Sequence, residues 1–387
     1  MATFRQRLLG RARTADELWP AHPFGCAGIS PEAEHARGQK SRSMNSVPLF
    51  DIKAVPKAEL HVHVEGTLEP GMLLDFARRN DVAIPYRSMS DVLSAYRFSD
   101  LQSFLEIYWA GLTVLRTERD FYELTRAYLT RAQEDNVVHA EIYVTPADHT
   151  ERGVPFDAVM DGISAAYADA RRDITGGMIL CVRRHKPVEE AFAAIEAARR
   201  WRDGVLALGL GGPEKGYPPG PFDEVFARAR ALGWKTTAHA GEEGPPHYVT
   251  EAIDRLRVDR IDHGVQCEAD PALMRRLADE GTPLTVCPLS NVALRIFPDL
   301  QRHNLRRLLH AGLCVTVNSD DPAYFGGHVN ENFVRAAAAL GLTAEEQLSL
   351  ADNSLKAAFM DEARRQAYRR VIREIRRPIH TGHLHDD

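Results

Sequence analysis

Short apolar runs alternate with stretches of helical spacing along most of the chain. Eight runs rich in apolar and β-branched residues predict buried strands, at 58–63, 137–144, 178–183, 204–210, 235–240, 259–263, 283–287 and 313–318. Helical patterns between them lie at 156–172, 187–202, 222–232, 247–256, 270–280 and 303–311. Because a closed parallel barrel has eight strands that each lead into a helix, the pattern predicts an α/β fold, a (β/α)8 TIM barrel.

The first predicted strand is followed by a long insertion, residues 64–136, in place of a single helix. Two stretches within it, 100–115 and 121–132, have the spacing of amphipathic helices. The insertion starts at the C-terminal end of the first strand, which is the end that forms the mouth of such a barrel. We therefore predict a helical, lid-like segment over that mouth.

The two ends of the chain differ from its middle. Residues 1–47 hold seven Lys and Arg against four Asp and Glu, without sustained periodicity. We predict that they form a disordered tail, or that translation begins at Met44; they lack the apolar core of a secretory signal. Residues 48–375 are predicted to form a single barrel, and residues 376–387 a polar C-terminal tail.

Composition narrows the classes of protein to which the chain can belong. Its 48 Lys and Arg stand against 54 Asp and Glu, a net charge of −6, which argues against binding nucleic acid or an anionic membrane. No apolar run approaches the roughly 20 residues that cross a bilayer. The five cysteines are scattered without a C-x-x-C pair, which excludes a disulfide framework and a thiolate zinc site and predicts a cytoplasmic protein. The sixteen histidines direct attention to metal binding instead.

Ionisable residues cluster at the ends of predicted strands one, five, six and eight. In barrels of this kind the C-terminal ends of the strands carry the chemistry. The clustered residues are His61, His63, His239, Glu242, Asp262, His263, Asp320 and Asp321. A barrel held together by packing alone would not need them, so the pattern predicts an active site.

The spacing of His61 and His63 predicts a metal site. Residues two apart in a strand face the same way, so both imidazoles project into the barrel and can share one divalent cation. His239 and Asp320 at matching strand ends would complete a mainly nitrogen ligand set. The alternative is a pair of buried histidines that bond only to the backbone.

Three further residues have candidate roles in acid–base chemistry. Glu242 follows His239 by three residues, and burial there would raise its pKa and make it a proton donor; a solvated loop carboxylate is the alternative. His263 could bind metal, act as a base, or stabilise an oxyanion as imidazolium. Asp321 could accept a hydrogen bond from substrate while Asp320 binds metal, or could simply cap the next helix.

Five motifs together carry a family resemblance. They are KAELHVHVEGTLEP at 57–70, HAGEEGPP at 239–246, RIDHG at 260–264, CPLSN at 287–291 and NSDDPAYFGG at 318–327. With these motifs in this order, the chain resembles the metal-dependent adenosine/adenine deaminase family, a branch of the amidohydrolase barrels, over most of 56–360.

The resemblance implies zinc-dependent hydrolytic deamination of a 6-aminopurine in purine salvage, with a free small molecule as substrate. One zinc ion per subunit would be held by His61, His63, His239 and Asp320. Binuclear relatives place a carboxylated lysine at the end of strand four, where Lys215 is poorly positioned, so a single metal is expected.

The same resemblance implies roles for the residues around the metal. His263 and Asp320 would take a proton from the attacking water and stabilise its oxygen. Glu242 would donate a proton to purine N1. Asp321 would accept a hydrogen bond at N7, and the backbone N–H of Gly212 would meet N3.

The motifs favour adenine as the substrate, giving hypoxanthine and ammonia. Glu65 stands where adenosine deaminases have an Asp that holds the ribose, and it is expected to contact substrate. Glu65 and residues 137–150 resemble the adenine branch, whereas Gly212 fits the adenosine type. Adenosine and N6-substituted adenines are the alternative substrates; a different heterocycle, or a zinc-stabilised purine binder without turnover, are the other hypotheses.

Overall fold

The computed structural model describes residues 50–381, with side chains as far as Arg377. The predicted N-terminal tail, 1–47, lies outside the described residues, as do residues 382–387. None of the helices in the described range is long and apolar enough to cross a bilayer.

Eight parallel strands form one sheet in the order β1 to β8. They are β1 Lys57–His63, β2 Val137–Val144, β3 Thr175–Arg183, β4 Val205–Gly211, β5 Lys235–Ala240, β6 Arg260–His263, β7 Leu284–Val286 and β8 Val315–Val317. A parallel bridge between Val62 and Asp320 brings the chain after β8 back to β1. The prediction of a (β/α)8 barrel is therefore confirmed, and each predicted strand overlaps one of these eight.

Sixteen α-helices lie in the described part of the chain. They are α1 Pro70–Arg79, α2 Met89–Ala95, α3 Leu101–Gly111, α4 Glu118–Glu134, α5 Pro146–Thr150, α6 Phe156–Ala170, α7 Val188–Ala198, α8 Asp223–Ala231, α9 Pro246–Glu251, α10 Pro271–Glu280, α11 Pro288–Ala293, α12 Leu305–His310, α13 Pro322–Phe325, α14 Val329–Leu340, α15 Ala344–Ala357 and α16 Glu362–Thr381. Short 3-10 turns lie at Ile52–Ala54, Glu65–Thr67, Leu112–Val114, Arg199–Trp201, Gly220–Phe222, Val265–Ala269 and Leu300–Arg302, and a π-helical turn, Ala252–Leu256, continues α9.

The segment 64–136 contains α1 to α4. Capping boxes start α3, at Asp100 with Ser103, and α4, at Thr117 with Asp120, so both helix beginnings are encoded locally. The apolar side of α3 is buried, and its Phe104 packs against Phe325 of α13 with ring centroids 4.7 Å apart. The contact joins the insertion to the chain that follows β8, at the C-terminal end of the barrel.

The last helix, α16, continues through residues 376–381, which the sequence assigns to a polar tail. Ile372 of this helix is buried, α16 packs along α15, and Arg376 donates to Ser349 Oγ of α15 at 3.3 Å. Arg369 of α16 also bonds to Asp352 of α15 with Nε 2.7 Å from Oδ1. Because the outer face of α16 consists of exposed charged residues, the composition of this segment does not indicate its amphipathic pattern.

A buried ion pair ties the lower part of the barrel to the chain after α15. The fully buried Arg260 places Nη2 2.8 Å from Oε2 of Glu141, which is also fully buried. Its guanidinium donates to the carbonyls of Leu60 and Ala357 and lies 4.4 Å from the ring centroid of Phe359. One side chain thereby connects β1, β2, β6 and the α15–α16 connection.

Replacing Arg260 with Met should strongly destabilise the fold. The Glu141 carboxylate would keep its burial and lose its cation, which typically costs about 3–5 kcal/mol. Urea unfolding followed by circular dichroism measures the change in the free energy of unfolding. The double replacement R260M/E141Q should recover part of the loss, whereas a single variant within about 1 kcal/mol of the parent would show that the pair is not needed.

Candidate active site

Four predicted metal ligands meet at the C-terminal end of the barrel. His61 and His63 come from β1, His239 from β5, and Asp320 follows β8. The Nε2 atoms of His61 and His239 are 3.1 Å apart, and Oδ1 of Asp320 lies 3.5 Å from Nε2 of both His61 and His63. One potential ligand atom from each residue lies within 4.8 Å of the others. The four side chains therefore form one cluster that can hold a cation.

Two non-glycine residues of the site have left-handed backbone conformations. Asp320 has φ +64° and His263 has φ +60°, values that side-chain-bearing residues adopt rarely. Asp320 is held there because its N–H donates to the His61 carbonyl at 3.0 Å and its own carbonyl accepts from the His63 N–H at 2.9 Å. Regular alternation would send Asp320 and Asp321 to opposite sides of the strand; this conformation directs both into the site.

The fully buried Asp262 lies beneath the metal cluster and accepts hydrogen bonds from three hydroxyls. Its Oδ1 accepts from Thr237 Oγ1 at 2.7 Å and from Thr285 Oγ1 at 3.0 Å, and its Oδ2 accepts from the Tyr143 phenol. Gly209 makes room for the Tyr143 ring, because a Cβ at Gly209 would come within 2.7 Å of that ring. The sequence places Asp262 at a strand end but does not indicate this role.

Asp262 also sets the tautomers of two of the predicted metal ligands. Its Oδ2 lies 3.4 Å from Nδ1 of His239, and Thr285, which donates to Asp262, can only accept from Nδ1–H of His61 at 3.0 Å. Burial alone would raise the pKa of Asp262, but the hydrogen bond from His239, the nearby imidazoles and the Arg260 guanidinium hold it well below its ordinary value. Both imidazoles therefore carry their proton on Nδ1 and present Nε2 lone pairs to the cluster.

The turn after β5 is held by Glu214, a buried carboxylate. It accepts four backbone N–H groups at 2.6, 2.9, 2.8 and 2.8 Å, those of Gly241, Glu242, Glu243 and Gly244. This arrangement fixes the backbone of Glu242 and leaves its side chain facing the site, with Oε2 3.7 Å from Nε2 of His263. Burial, together with the charges of Asp320 and Glu214, raises the pKa of Glu242 well above its ordinary value.

The cluster lies at the bottom of a pocket with an apolar wall. The insertion supplies that wall through α3, with Leu101, Phe104, Leu105, Tyr108 and Trp109. Gly212, which has φ +94° and so favours glycine, and Asp321 line the pocket as well. Burial and the neighbouring Asp320 raise the pKa of Asp321. Gly66 allows Asp321 to approach, because any Cβ at Gly66 would overlap the Asp321 carboxylate.

Glu65 does not line the pocket wall, and the substrate contact expected for it stays a prediction. Its side chain is fully buried, and Oε1 accepts from the Thr145 N–H at 3.0 Å and from His149 Nε2 at 3.1 Å. Burial alone would raise the pKa of Glu65, but His149 and the Thr145 N–H bring it below its ordinary value. Glu65 thus bonds to the segment after β2.

Several residues near the pocket have no individual signal in the sequence. At the rim, Asp148 accepts from Arg183 Nη1 at 2.9 Å and from Trp109 Nε1 at 3.3 Å. Ser290 donates to Oδ2 of Asp320 at 2.7 Å. Two features of the sequence could have indicated these residues: Arg183 lies at a strand end, and Ser290 lies in the CPLSN motif.

Comparison with known proteins places the chain in a family. The family model for adenosine deaminase matches residues 56–375. An adenine deaminase of Albidiferax ferrireducens is 53% identical over 319 residues, which cover 82% of this chain and 92% of that protein. An adenine deaminase of Acinetobacter baylyi is 51% identical over 326 residues, which cover 84% and 98%.

Solved structures agree with this placement. The crystal structure of an adenine deaminase from Arthrobacter aurescens matches with a TM-score of 0.82 at 42% identity, covering 84% of this chain and 100% of that one. A zinc-bound amidohydrolase from Burkholderia ambifaria matches with a TM-score of 0.78 at 27% identity, covering 85% and 94%. With a matching family model that spans the barrel and relatives of this identity, the chain belongs to the adenosine deaminase family of metal-dependent hydrolases.

Proposed function

We propose that this protein is a zinc-dependent adenine deaminase, which hydrolyses adenine to hypoxanthine and ammonia. The observation that carries the proposal is a cluster of three imidazoles and one carboxylate beside Glu242, a buried carboxyl with a raised pKa, in a pocket with an apolar wall. Two relatives named adenine deaminase support it, since this chain covers more than nine tenths of each. We place the reaction in cytoplasmic purine salvage, on free purines and not on nucleic acid.

The residues present fit a zinc ion. Two Nε2 lone pairs 3.1 Å apart, on His61 and His239, repel each other unless a cation lies between them. Three imidazoles and a carboxylate are a typical donor set for zinc. A second candidate group shares Asp320 with the first and adds His263 and Cys287, but burial raises the pKa of the Cys287 thiol, which makes it a poor ligand. These features support one zinc per subunit, held by His61, His63, His239 and Asp320.

Bound zinc would lower the pKa of a coordinated water towards about 7 and so supply hydroxide at neutral pH. Glu242, protonated because its pKa is raised, would donate to purine N1 and make C6 electrophilic. The Gly212 N–H would meet N3. Asp321 also has a raised pKa, so its neutral carboxyl would donate to the N7 lone pair; the sequence suggests that it accepts.

The reaction balances with these residues. The oxygen of water bonds to C6 while N1 takes the proton of Glu242. The Asp320–His263 pair beside the metal takes up one proton of the water and delivers it to the amino nitrogen, and the C6–N bond then breaks to release ammonia. The second proton of the water returns to Glu242 as C6 becomes a carbonyl, so the enzyme is regenerated.

A substrate panel tests the proposal directly. Zinc-loaded protein should release ammonia from adenine with the highest kcat/KM, ahead of adenosine, deoxyadenosine and N6-substituted adenines. Ammonia release in a coupled assay, with hypoxanthine identified chromatographically, is the measurement. Zinc-bound protein that is inactive on every 6-aminopurine would overturn the proposal, and a preference for adenosine would move it to the alternative substrate.

Replacing Glu242 with Gln should lower kcat by about 100- to 10,000-fold, because the proton for N1 is lost. Zinc content, measured by atomic emission, should stay at one ion per subunit. Glu243→Gln is the matched control: its side chain pairs with Lys215 at 3.1 Å outside the metal cluster, and its activity should be retained. Turnover of the Glu242 variant within tenfold of the parent would contradict the assigned role.

Replacing Asp262 with Asn should weaken zinc binding about 10- to 100-fold, because the carboxylate that orients His61 and His239 is lost. Competition with a chelator measures the zinc Kd. Tyr143→Phe is the control, since it removes one donor to Asp262 and leaves the carboxylate and both imidazole contacts in place. Equal zinc affinities in the Asn variant and the parent would contradict the orienting role.

A further inference from the structure

A line of buried polar groups connects the start of α12 to the active site. It runs from the backbone N–H of Leu305 through the side chains of His303 and Asn291 to His263. His303 and His263 are each 1% exposed and Asn291 is fully buried, so water does not compete for these contacts. Asn291 is the last residue of the CPLSN motif, and it does not itself take part in the proposed proton transfers.

The first link defines the tautomer of His303. The Leu305 N–H can only donate, and it lies 3.0 Å from Nδ1 of His303, so Nδ1 carries a lone pair. Burial and the charge of Arg307 lower the pKa of His303 to about 3, which keeps the ring neutral. The single ring proton of His303 is therefore on Nε2.

The second link defines the orientation of the Asn291 amide. Nε2–H of His303 donates to Oδ1 of Asn291 at 3.2 Å, so the other end of the amide is the NH2 group. That group lies 3.4 Å from Nδ1 of His263, and because an amide nitrogen only donates, Nδ1 of His263 must be the acceptor. An imidazole that keeps a lone pair on Nδ1 is neutral, so the ring of His263 has a single proton.

The proton of His263 is then on Nε2, the ring atom that faces the reaction. Nε2 lies 3.7 Å from Oε2 of Glu242 and 3.8 Å from Oδ2 of Asp320. Resting on the proposed function, we propose that His263 donates a hydrogen bond from Nε2 to the attacking oxygen, that Asp320 accepts the proton of the water, and that Asn291 and His303 are positioning residues that enforce this division.

The proton balance of the reaction is unchanged by this assignment. As the O–C6 bond forms, one proton of the water moves to Asp320, which passes it to the amino nitrogen before the C6–N bond breaks. His263 keeps its proton throughout and stabilises the negative charge that develops on the oxygen. The lone pair on Nδ1 of His263 accepts from Asn291, and Nε2 already carries a proton. His263 therefore has no free nitrogen with which to take a proton from the water.

Neutron diffraction from deuterated crystals of the zinc-loaded parent tests the tautomers directly. Deuterium is expected on Nε2 of both His263 and His303, with the ND2 group of Asn291 facing Nδ1 of His263. Deuterium on Nδ1 of His263 would overturn the inference. This observation needs no turnover, so it separates failure of the inference from failure of the proposed function, which inactivity of the zinc-loaded parent on adenine would show.

Asn291→Asp tests the consequence for catalysis. A carboxylate of the same shape accepts from both imidazoles, so it would force the proton of His263 onto Nδ1 and leave a lone pair on Nε2. Losing one such donor to a developing oxyanion typically lowers kcat on the order of 100- to 1,000-fold. The KM for adenine and the zinc content should stay within about threefold of the parent, because neither depends on the tautomer in the ground state.

Asn353→Asp is the matched control. Asn353 is also a buried asparagine, and its amide donates to the Val315 carbonyl at 3.0 Å, away from the relay, so its kcat should be retained. An Asn291 variant that folds, binds zinc and keeps the parent kcat would show that His263 acts as a base, which overturns the inference. If the variant does not fold, the neutron structure of the parent decides.

Discussion

The active site depends on the place where the barrel closes. The backbone of Asp320 bonds to the carbonyl of His61 and the N–H of His63, so the joint between the first and last strands is also the joint between three of the proposed metal ligands. Closure leaves Asp320 in a left-handed conformation that an isolated strand would not adopt. The hydrogen bonds of the sheet therefore hold the Asp320 carboxylate against the imidazoles of His61 and His63. The cluster of candidate ligands depends on the backbone of the barrel as much as on the side chains.

The buried carboxyl groups of the site divide into two kinds by their hydrogen bonds. Asp262 is surrounded by hydroxyl donors and an imidazole. Glu214 accepts hydrogen bonds from four backbone N–H groups. Glu242 and Asp321 each leave a buried oxygen without a partner and lie near other carboxylates, which raises the pKa of both. The first kind orients other groups as fixed charges, and the second kind holds protons.

The barrel, and the approach of the four proposed metal ligands to one another, could be predicted from the sequence because both follow from position. Strand ends converge in a (β/α)8 barrel, so His61, His63, His239 and Asp320 had to approach one another once the strands were assigned. The partner of Glu65 could not be predicted in this way. His149 lies 84 residues further along the chain, and only the packing of the segment after β2 shows that its Nε2 bonds to Oε1 of Glu65.

Local alternation failed at the residues that matter most to the chemistry. Asp262 and His263 are neighbours in a strand, and a regular strand would send them to opposite faces. The positive φ of His263 directs the side chains of Asp262 and His263 towards the centre of the barrel. No residue type in the RIDHG motif predicts such a conformation. At the C-terminal end, the many arginines favoured the prediction of a polar tail from residue 376, whereas the helix α16 extends to Thr381.

The pocket wall and the metal cluster come from separate parts of the chain. The wall is largely one face of α3, within an insertion, whereas the cluster belongs to strand ends whose geometry is set by the sheet. In the proposed function, recognition of the purine and activation of water are therefore encoded in segments that can change independently. A lineage of enzymes could vary or exchange this one helix, and so acquire new substrates, while inheriting its metal chemistry intact.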